Sequence, residues 1–320
     1  MAKRKLSKQQ RTRVENQQRA AQDSSDQQRG LVIANFGKQA AVEAQDGPQV
    51  HRCDVRPNID SLVAGDRVSW QIKASGGLVT SLLPRTNQLA RPDSRGQLKP
   101  VAANIDHAVL VIATQPQPFS NLIDRYLAAI ELSNIRPLLV LNKVDLLHAA
   151  GNEALISMVA NYERIGYQVL RVAAASEAGI DSLRTALSDG NSVFVGQSGV
   201  GKSSLINCLC PAANTQVGEL SGGAVKGKHT TTTARLFHLA SGGSIIDSPG
   251  IREFHLWHVD ERELINGFID IRPFADDCQF RNCTHQSEKN CAVRQAHRRG
   301  AISDSRWRNY EQIRATLRKT

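Results

Sequence analysis

The relative order of two short motifs constrains this chain more than any other feature. Residues 196–203 read GQSGVGKS, which fits G-x-x-x-x-G-K-[ST], and residues 142–145 read NKVD. An apolar run, Ser192 to Val195, leads into the first motif, and a helical run, Ser203 to Leu209, leaves it. A strand, a glycine-rich turn and a helix in that order form a phosphate cradle. The glycines let backbone N–H groups curl around phosphate oxygens, and the helix N-terminus adds partial positive charge. Such a cradle belongs in a largely parallel sheet covered by helices on both faces.

Within the cradle, Gly196, Gln197, Ser198, Gly199, Val200, Gly201 and Ser204 supply the wrapping backbone. Lys202 is placed to neutralise phosphate oxygens and the Ser203 hydroxyl to ligate Mg²⁺. The NKVD motif ends an apolar strand, Leu138 to Leu141. There the Asp145 carboxylate can accept both N–H donors of a guanine edge, which adenine does not offer. Asn142 would tie loops together, Lys143 would lay its alkyl stem on the ring, and Val144 lies between Lys143 and Asp145. Cradle and clamp together favour GTP over ATP. Asp247-Ser-Pro-Gly250 follows Ser244 to Ile246 as a magnesium-side aspartate loop should, and Thr231, within GKHTTTTARL, is the expected switch ligand to Mg²⁺. VAAAS, residues 172–176, is the expected second base loop.

In an ordinary small GTPase the base clamp follows the cradle, whereas here it precedes it. The remaining motifs keep their cyclic order, so the arrangement is rotated and every strand neighbour survives. Surface termini that lie close together make such a rotation physically tolerable. The expectation is a circularly permuted α/β P-loop GTPase domain. The position that ordinarily holds a water-orienting glutamine is Ile251, so hydrolysis must recruit another group. His229, just before the threonine run, is the candidate. The loop after Asp247 leads straight into the C-terminal residues, which nucleotide state could move as a lever.

The rest of the chain divides around that domain. A length of 320 residues suits two or three cores. Residues 1–29 are Gln-rich and nearly free of large apolar groups, the composition of a disordered arm. Five alternating runs follow within residues 30–85 (GLVIANF, QAAVEAQ, QVHRCDV, DRVSWQI, GLVTSLL), separated by turn signals. They predict a small five-stranded β-barrel, an OB-fold, although an SH3-like barrel would produce much the same pattern. PRTNQLARPDSRGQLKP, residues 84–100, is polar and Pro/Gly-rich and is expected as a linker. The GTPase domain is set at residues 86–253 and a mostly helical module at 254–320.

Charge and cysteine placement narrow the function classes. The formal charge is +10, and it resides at the ends: eight Lys/Arg against three Asp/Glu in residues 1–29, and eight against two in residues 292–320. Basic ends on a neutral body fit a polyanionic partner such as RNA, and they also serve solubility alone. No apolar run is long enough for a membrane span, and no apolar segment follows the basic N-terminus, so neither a membrane partner nor a secretory signal is expected. A cytoplasmic chain does not build a disulfide framework. Instead Cys278-x₄-Cys283-x-His285-x₅-Cys291 offers three thiolates and an imidazole, the donor set of one structural, tetrahedral Zn²⁺.

Taken together, the barrel, the permuted NKVD…GQSGVGKSS…HTTT…DSPG domain and the C-x₄-C-x-H-x₅-C module resemble the bacterial family of ribosome small-subunit-dependent GTPases. The resemblance covers about residues 30–292. It implies an OB-fold, guanine contacts from Asn142, Lys143 and Asp145, and phosphate contacts from Gly196 through Ser204. Zinc ligation at Cys278, Cys283, His285 and Cys291 is implied too. His229 matches the family's histidine before the threonines, while Ala173-Ala174-Ala175 departs from the usual Ser-containing base loop. The expected function is GTP hydrolysis stimulated by the small ribosomal subunit during its late maturation, through rRNA contact and by a monomer. A nucleotide-gated RNA-binding checkpoint whose hydrolysis is incidental is the alternative from another class, and a metal-dependent nuclease a weaker third.

Overall fold

The structure is a computed structural model that describes residues 27–73, 76–93, 95–147, 151–211, 213, 234–247 and 259–317. His229, Thr231, Ser248 to Gly250, Ile251, and all of the N-terminal arm up to residue 26 lie outside the described residues.

Strands β1 (Gln28–Asn35), β2 (Gln39–Ala44), β3 (Val50–Val55), β4 (Arg67–Lys73) and β5 (Gly76–Leu82) form the N-terminal barrel. Their order is β1-β2-β3-β5-β4, and β4 pairs back onto β1 to close the ring. The parallel β3–β5 pairing and that closure settle the barrel as an OB-fold. Inward alternation packs Val32, Val42, Cys53, Val68 and Val79 around fully buried Trp70.

The segment expected as a linker is instead an antiparallel hairpin of β6 (Gln88–Pro92) and β7 (Leu98–Ala103). Its polarity concealed it. Leu89 and Ala102 are buried beneath it, while Arg91, Lys99 and Leu98 face outward. The turn is held by the Asp93 carboxylate, which accepts the backbone N–H groups of Arg95 and Gln97.

The second sheet region comprises β8 (His107–Ala113), β9 (Arg136–Asn142), β10 (Val169–Arg171), β11 (Asn191–Val195), β12 (Arg235–His238) and β13 (Ser244–Asp247), in the order β10-β9-β8-β11-β13-β12. All neighbours are parallel except β12, a four-residue antiparallel edge that alternation did not reveal. Strand side chains alternate between two cores. Leu110, Ile112, Leu139 and Val193 meet helices α1 (Ser120–Leu132) and α2 (Glu153–Ile165) on one face. Val109, Val111, Val140 and Phe194 meet α3 (Ile180–Ala186) and α4 (Lys202–Leu209) on the other. Helices on both faces of a nearly parallel sheet require strands apolar on both sides, which is how these strands read.

Barrel and second sheet meet edge to edge, where Ala34 of β1 pairs with Arg235 of β12. His238 reinforces the seam, sharing hydrogen bonds with Glu43 of the barrel (2.8 Å) and Ser244 of β13 (2.9 Å). Beyond residue 259 two short 3₁₀ turns precede α5 (Ala292–Arg298) and α6 (Asp304–Leu317). This module has a core of its own in which Leu264, Phe268, Trp307 and Tyr310 pack against Ala128 and Ala129 of α1. The sparse apolar residues of the C-terminal segment thus suffice because α1 lends it a face. Among the described residues no helix is long and apolar enough to cross a membrane.

Candidate functional site

At the end of β11 the backbone turns through Gly196, whose φ of +132° and whose approach to the Val111 carbonyl exclude a side chain: an added Cβ would lie 2.3 Å from that oxygen. Gly201, at φ +95°, faces the Asn142 side chain, and a Cβ there would lie 2.2 Å from Asn142 Nδ2. Between them Ser198 and Gly199 are exposed, and α4 begins at Lys202 with Ser203 and Ser204 exposed at its N-terminus. Lys202 is buried, and its Nζ donates to the carbonyls of Gly196 (2.6 Å) and Gln197 (2.5 Å), drawing the loop around its ammonium.

The NKVD residues lie against this loop because β8 separates their strand, β9, from β11 by one position. Buried Asn142 donates to the Val200 carbonyl at 2.9 Å and accepts the Ala174 N–H at 3.2 Å. It therefore joins the glycine loop to residues 173–175. Lys143 adopts a left-handed backbone (φ +61°), and its Nζ reaches the carbonyls of Gln115 (2.6 Å) and Gly199 (2.8 Å). Val144, Asp145 and Leu146 form one 3₁₀ turn in which Asp145 is exposed. Ala173 and Ala178 close the 173–175 loop with an isolated bridge.

Asp247 ends β13, which lies directly beside β11, so the residue stands at the same C-terminal sheet edge as the glycine loop that leads to Ser203. The structure thus brings together Asn142, Lys143, Gly196 to Ser204 and Asp247 at the C-terminal ends of parallel strands, where doubly wound sheets bind ligands. Ser203 and Asp247 carry the oxygen donors that suit Mg²⁺. Positions 229 and 231 are outside the described residues. Sequence reading missed Thr114, whose buried hydroxyl donates to the Lys143 carbonyl at 3.0 Å. A polar residue ending an otherwise apolar strand was its only signal.

Cys278, Cys283, His285 and Cys291 converge, with all ligand atoms within 4.8 Å of one another. Cys278 Sγ lies 3.9 Å from Cys291 Sγ and 3.6 Å from His285 Nδ1, and Cys291 Sγ lies 3.5 Å from that nitrogen. A tetrahedral ion bound at ordinary zinc distances requires about 3.8 Å between sulfurs and about 3.6 Å from sulfur to nitrogen. The residues therefore fit a metal ion, and none of the cysteines is in a disulfide. Burial and the neighbouring thiols push Cys283 up to about 12, and burial raises Cys291 and lowers His285. A cation binding here displaces protons from the thiols. Glu288 braces the loop by accepting from Thr284 N (2.7 Å), Thr284 Oγ1 (2.6 Å) and Gln286 N (2.9 Å).

The basic C-terminal run is partly internal. Arg306 and Arg314 are buried, and Arg306 bonds Asp124 of α1 (2.5 Å) and Asp270 (2.7 Å). These two cations are spent on holding the module and face no polyanion. The clamp also fixes the module to α1, so a lever motion must carry α1 along.

A glycine cradle on β11, a base-side motif on the upstream strand β9 and an aspartate on β13 define a circularly permuted P-loop GTPase. A family profile described as RsgA GTPase matches residues 82–257, more than half of the chain. The chain belongs to the RsgA GTPase family and is a GTP-hydrolysing enzyme. It is 47% identical to the "Small ribosomal subunit biogenesis GTPase RsgA" of Hahella chejuensis, covering 100% of this chain and 98% of the relative. The protein of the same name from Azotobacter vinelandii is 49% identical, with 99% and 98% covered. Among solved structures it resembles YloQ, described as a circularly permuted GTPase, with TM-score 0.75 and 29% identity over 93% of this chain and 97% of that one. YjeQ from Thermotoga maritima gives TM-score 0.74 at 29% identity over 91% and 98%.

Proposed function

We propose that this GTPase docks on the small ribosomal subunit through its rRNA, acts in late maturation of that subunit, and hydrolyses GTP to GDP and phosphate when the subunit stimulates it. The observation carrying this reading is that likeness to relatives named for small-subunit biogenesis spans 98% of their length, taking in barrel, GTPase domain and Cys/His module alike. A cytoplasmic monomer suits the role. The division into an arm (1–29), a barrel (30–85), a GTPase domain (86–253) and a module (254–320) is part of the same proposal.

In this reading Asn142, Lys143 and Asp145 select guanine, with Val144 completing the turn between them. Gly196, Gln197, Ser198, Gly199, Val200, Gly201, Lys202, Ser203 and Ser204 bind the phosphates. Mg²⁺ accompanies the nucleotide and would be held by Ser203, Thr231 and, on the aspartate side, Asp247; it would neutralise charge on the phosphates. One Zn²⁺ at Cys278, Cys283, His285 and Cys291 is structural, because four protein ligands leave no position for water. His229 orients the attacking water once the subunit orders its loop, supplying what Ile251 does not.

The test is GTP turnover by the purified protein, alone and with small subunits, in wild type and His229→Ala. The expected result is strong stimulation in wild type and little in the variant. Turnover that stays negligible with subunits present would overturn the reading in favour of a nucleotide-gated checkpoint. Equal stimulation of both proteins would remove His229 from the mechanism.

A further inference from the structure

Strands β8 and β9 run parallel, and their last paired residues are Ala113 and Asn142. Thr114 and Lys143 therefore leave the sheet side by side. Thr114 is 2% exposed, and its Oγ1 donates to the Lys143 carbonyl at 3.0 Å. That carbonyl also accepts the Leu146 N–H at 3.0 Å, the bond that closes the turn bearing Asp145. Lys143 is in the left-handed region, which residues with side chains avoid unless their surroundings hold them there. Asp145 is exposed and has no side-chain hydrogen-bond or ion-pair partner among the described residues, so among them it is the backbone that sets the direction of its carboxylate.

We propose that Thr114 is a positioning residue for guanine selectivity: its hydroxyl fixes the twisted backbone at Lys143, and through it the direction of Asp145. The inference rests on the reading of Asn142 to Asp145 as a guanine clamp. The twist divides the labour of the tetrapeptide. It sends Lys143 Nζ back to the Gln115 and Gly199 carbonyls, on the phosphate-loop side, and leaves Asp145 on the base side. Releasing the carbonyl frees the turn to rotate, and the first loss falls on the Asp145 contacts to the base.

Thr114→Val keeps the shape and deletes the donor, whereas Thr114→Ser keeps the donor. Affinities of the full-length protein for GDP and for inosine diphosphate, which lacks the exocyclic amino group that Asp145 would bind, report the clamp directly. Thr114→Val is expected to weaken GDP about three- to tenfold, the scale of one lost hydrogen bond, and inosine diphosphate less. The GDP/IDP affinity ratio then falls, and Thr114→Ser restores it. A Val variant with the wild-type ratio overturns the proposal, as does equal weakening of both nucleotides or failure of Ser to restore the ratio. Asp145→Asn separates the two readings. If it leaves the ratio unchanged, the clamp reading itself fails. If it abolishes the ratio while Thr114→Val preserves it, only the role of Thr114 fails.

Discussion

Arg306→Met tests how the C-terminal module is held to the GTPase domain. The Arg306 side chain is 2% exposed and that of Asp124 is not exposed at all. Its guanidinium bonds Asp124 at 2.5 Å and Asp270 at 2.7 Å, and lies 4.5 Å from the Phe268 ring centroid, within cation–π range. Methionine fills much of the volume but leaves Asp124 with only the Tyr162 hydroxyl (2.7 Å) and the Asn309 amide (2.7 Å) as donors. Removing one partner of a buried ion pair costs about 3–5 kcal/mol. At roughly 2–4 °C per kcal/mol for a domain of this scale, the transition of the α1–α6 unit should fall by about 6 °C or more. Burial already raises the Asp124 carboxyl, with Arg306 opposing that rise. Without Arg306 the native state favours protonated Asp124 still more. A folded pKa above the unfolded one gives stability at low pH that is lost as pH rises, so the deficit of the variant should shrink on acidification from neutrality. Asp124→Asn added to Arg306→Met should recover part of the loss. Calorimetry of the single and double variants across pH measures all three effects. A single-variant loss below about 1 kcal/mol at neutral pH, or a double variant no better than the single, would refute the argument that the buried charge balance holds this seam.

Gly201→Ala should weaken GDP binding by about tenfold or more, since its methyl must displace Asn142 Nδ2 from a left-handed position; titration with a fluorescent GDP checks this. Chelation should remove a single Zn²⁺ and disorder the core around Trp307 and Tyr310 while leaving the barrel folded, read by metal analysis with near-UV circular dichroism. The Glu288 carboxyl is held down to about 2, chiefly by the Thr284 hydroxyl. Its folded value lies below the ordinary 4.5, so its contribution is present above about pH 4.5 and lost as pH falls toward 2. Denaturation of metal-loaded wild type and Glu288→Gln across that window should show a steeper loss of stability in wild type than in the variant.

Much of the fold is legible because its signals are local. The barrel strands announce themselves by period-two alternation, and β8, β9 and β11 by unbroken apolar runs that only burial on both faces explains. The GQSGVGKS loop is readable for a similar reason: Gly196 stands against the Val111 carbonyl and Gly201 against the Asn142 side-chain amide, both at positive φ, so sequence and geometry coincide. The Cys/His spacing likewise announced a ligand set whose atoms do converge. The β6–β7 hairpin escaped because it buries little beyond Leu89 and Ala102, and a polar, Pro-containing segment reads as a connector. β12 escaped because four residues are too few to show a period.

The sequence by itself determined the order of motifs, hence a rotated GTPase domain, together with an alternating barrel and a tight donor set for a metal. Those follow from short-range pattern and the stereochemistry of a few residue types. Only the tertiary structure decided that Arg306, read among the basic residues of the C-terminus, is an internal cation facing an aspartate 182 positions away. It also decided that Thr114 reaches the Lys143 carbonyl, and that β1 pairs with β12 to make one sheet of barrel and GTPase domain. Such contacts depend on which distant segments pack together. The free energy of a buried charge or an edge pairing is set by the partner it meets, and no local pattern carries that information.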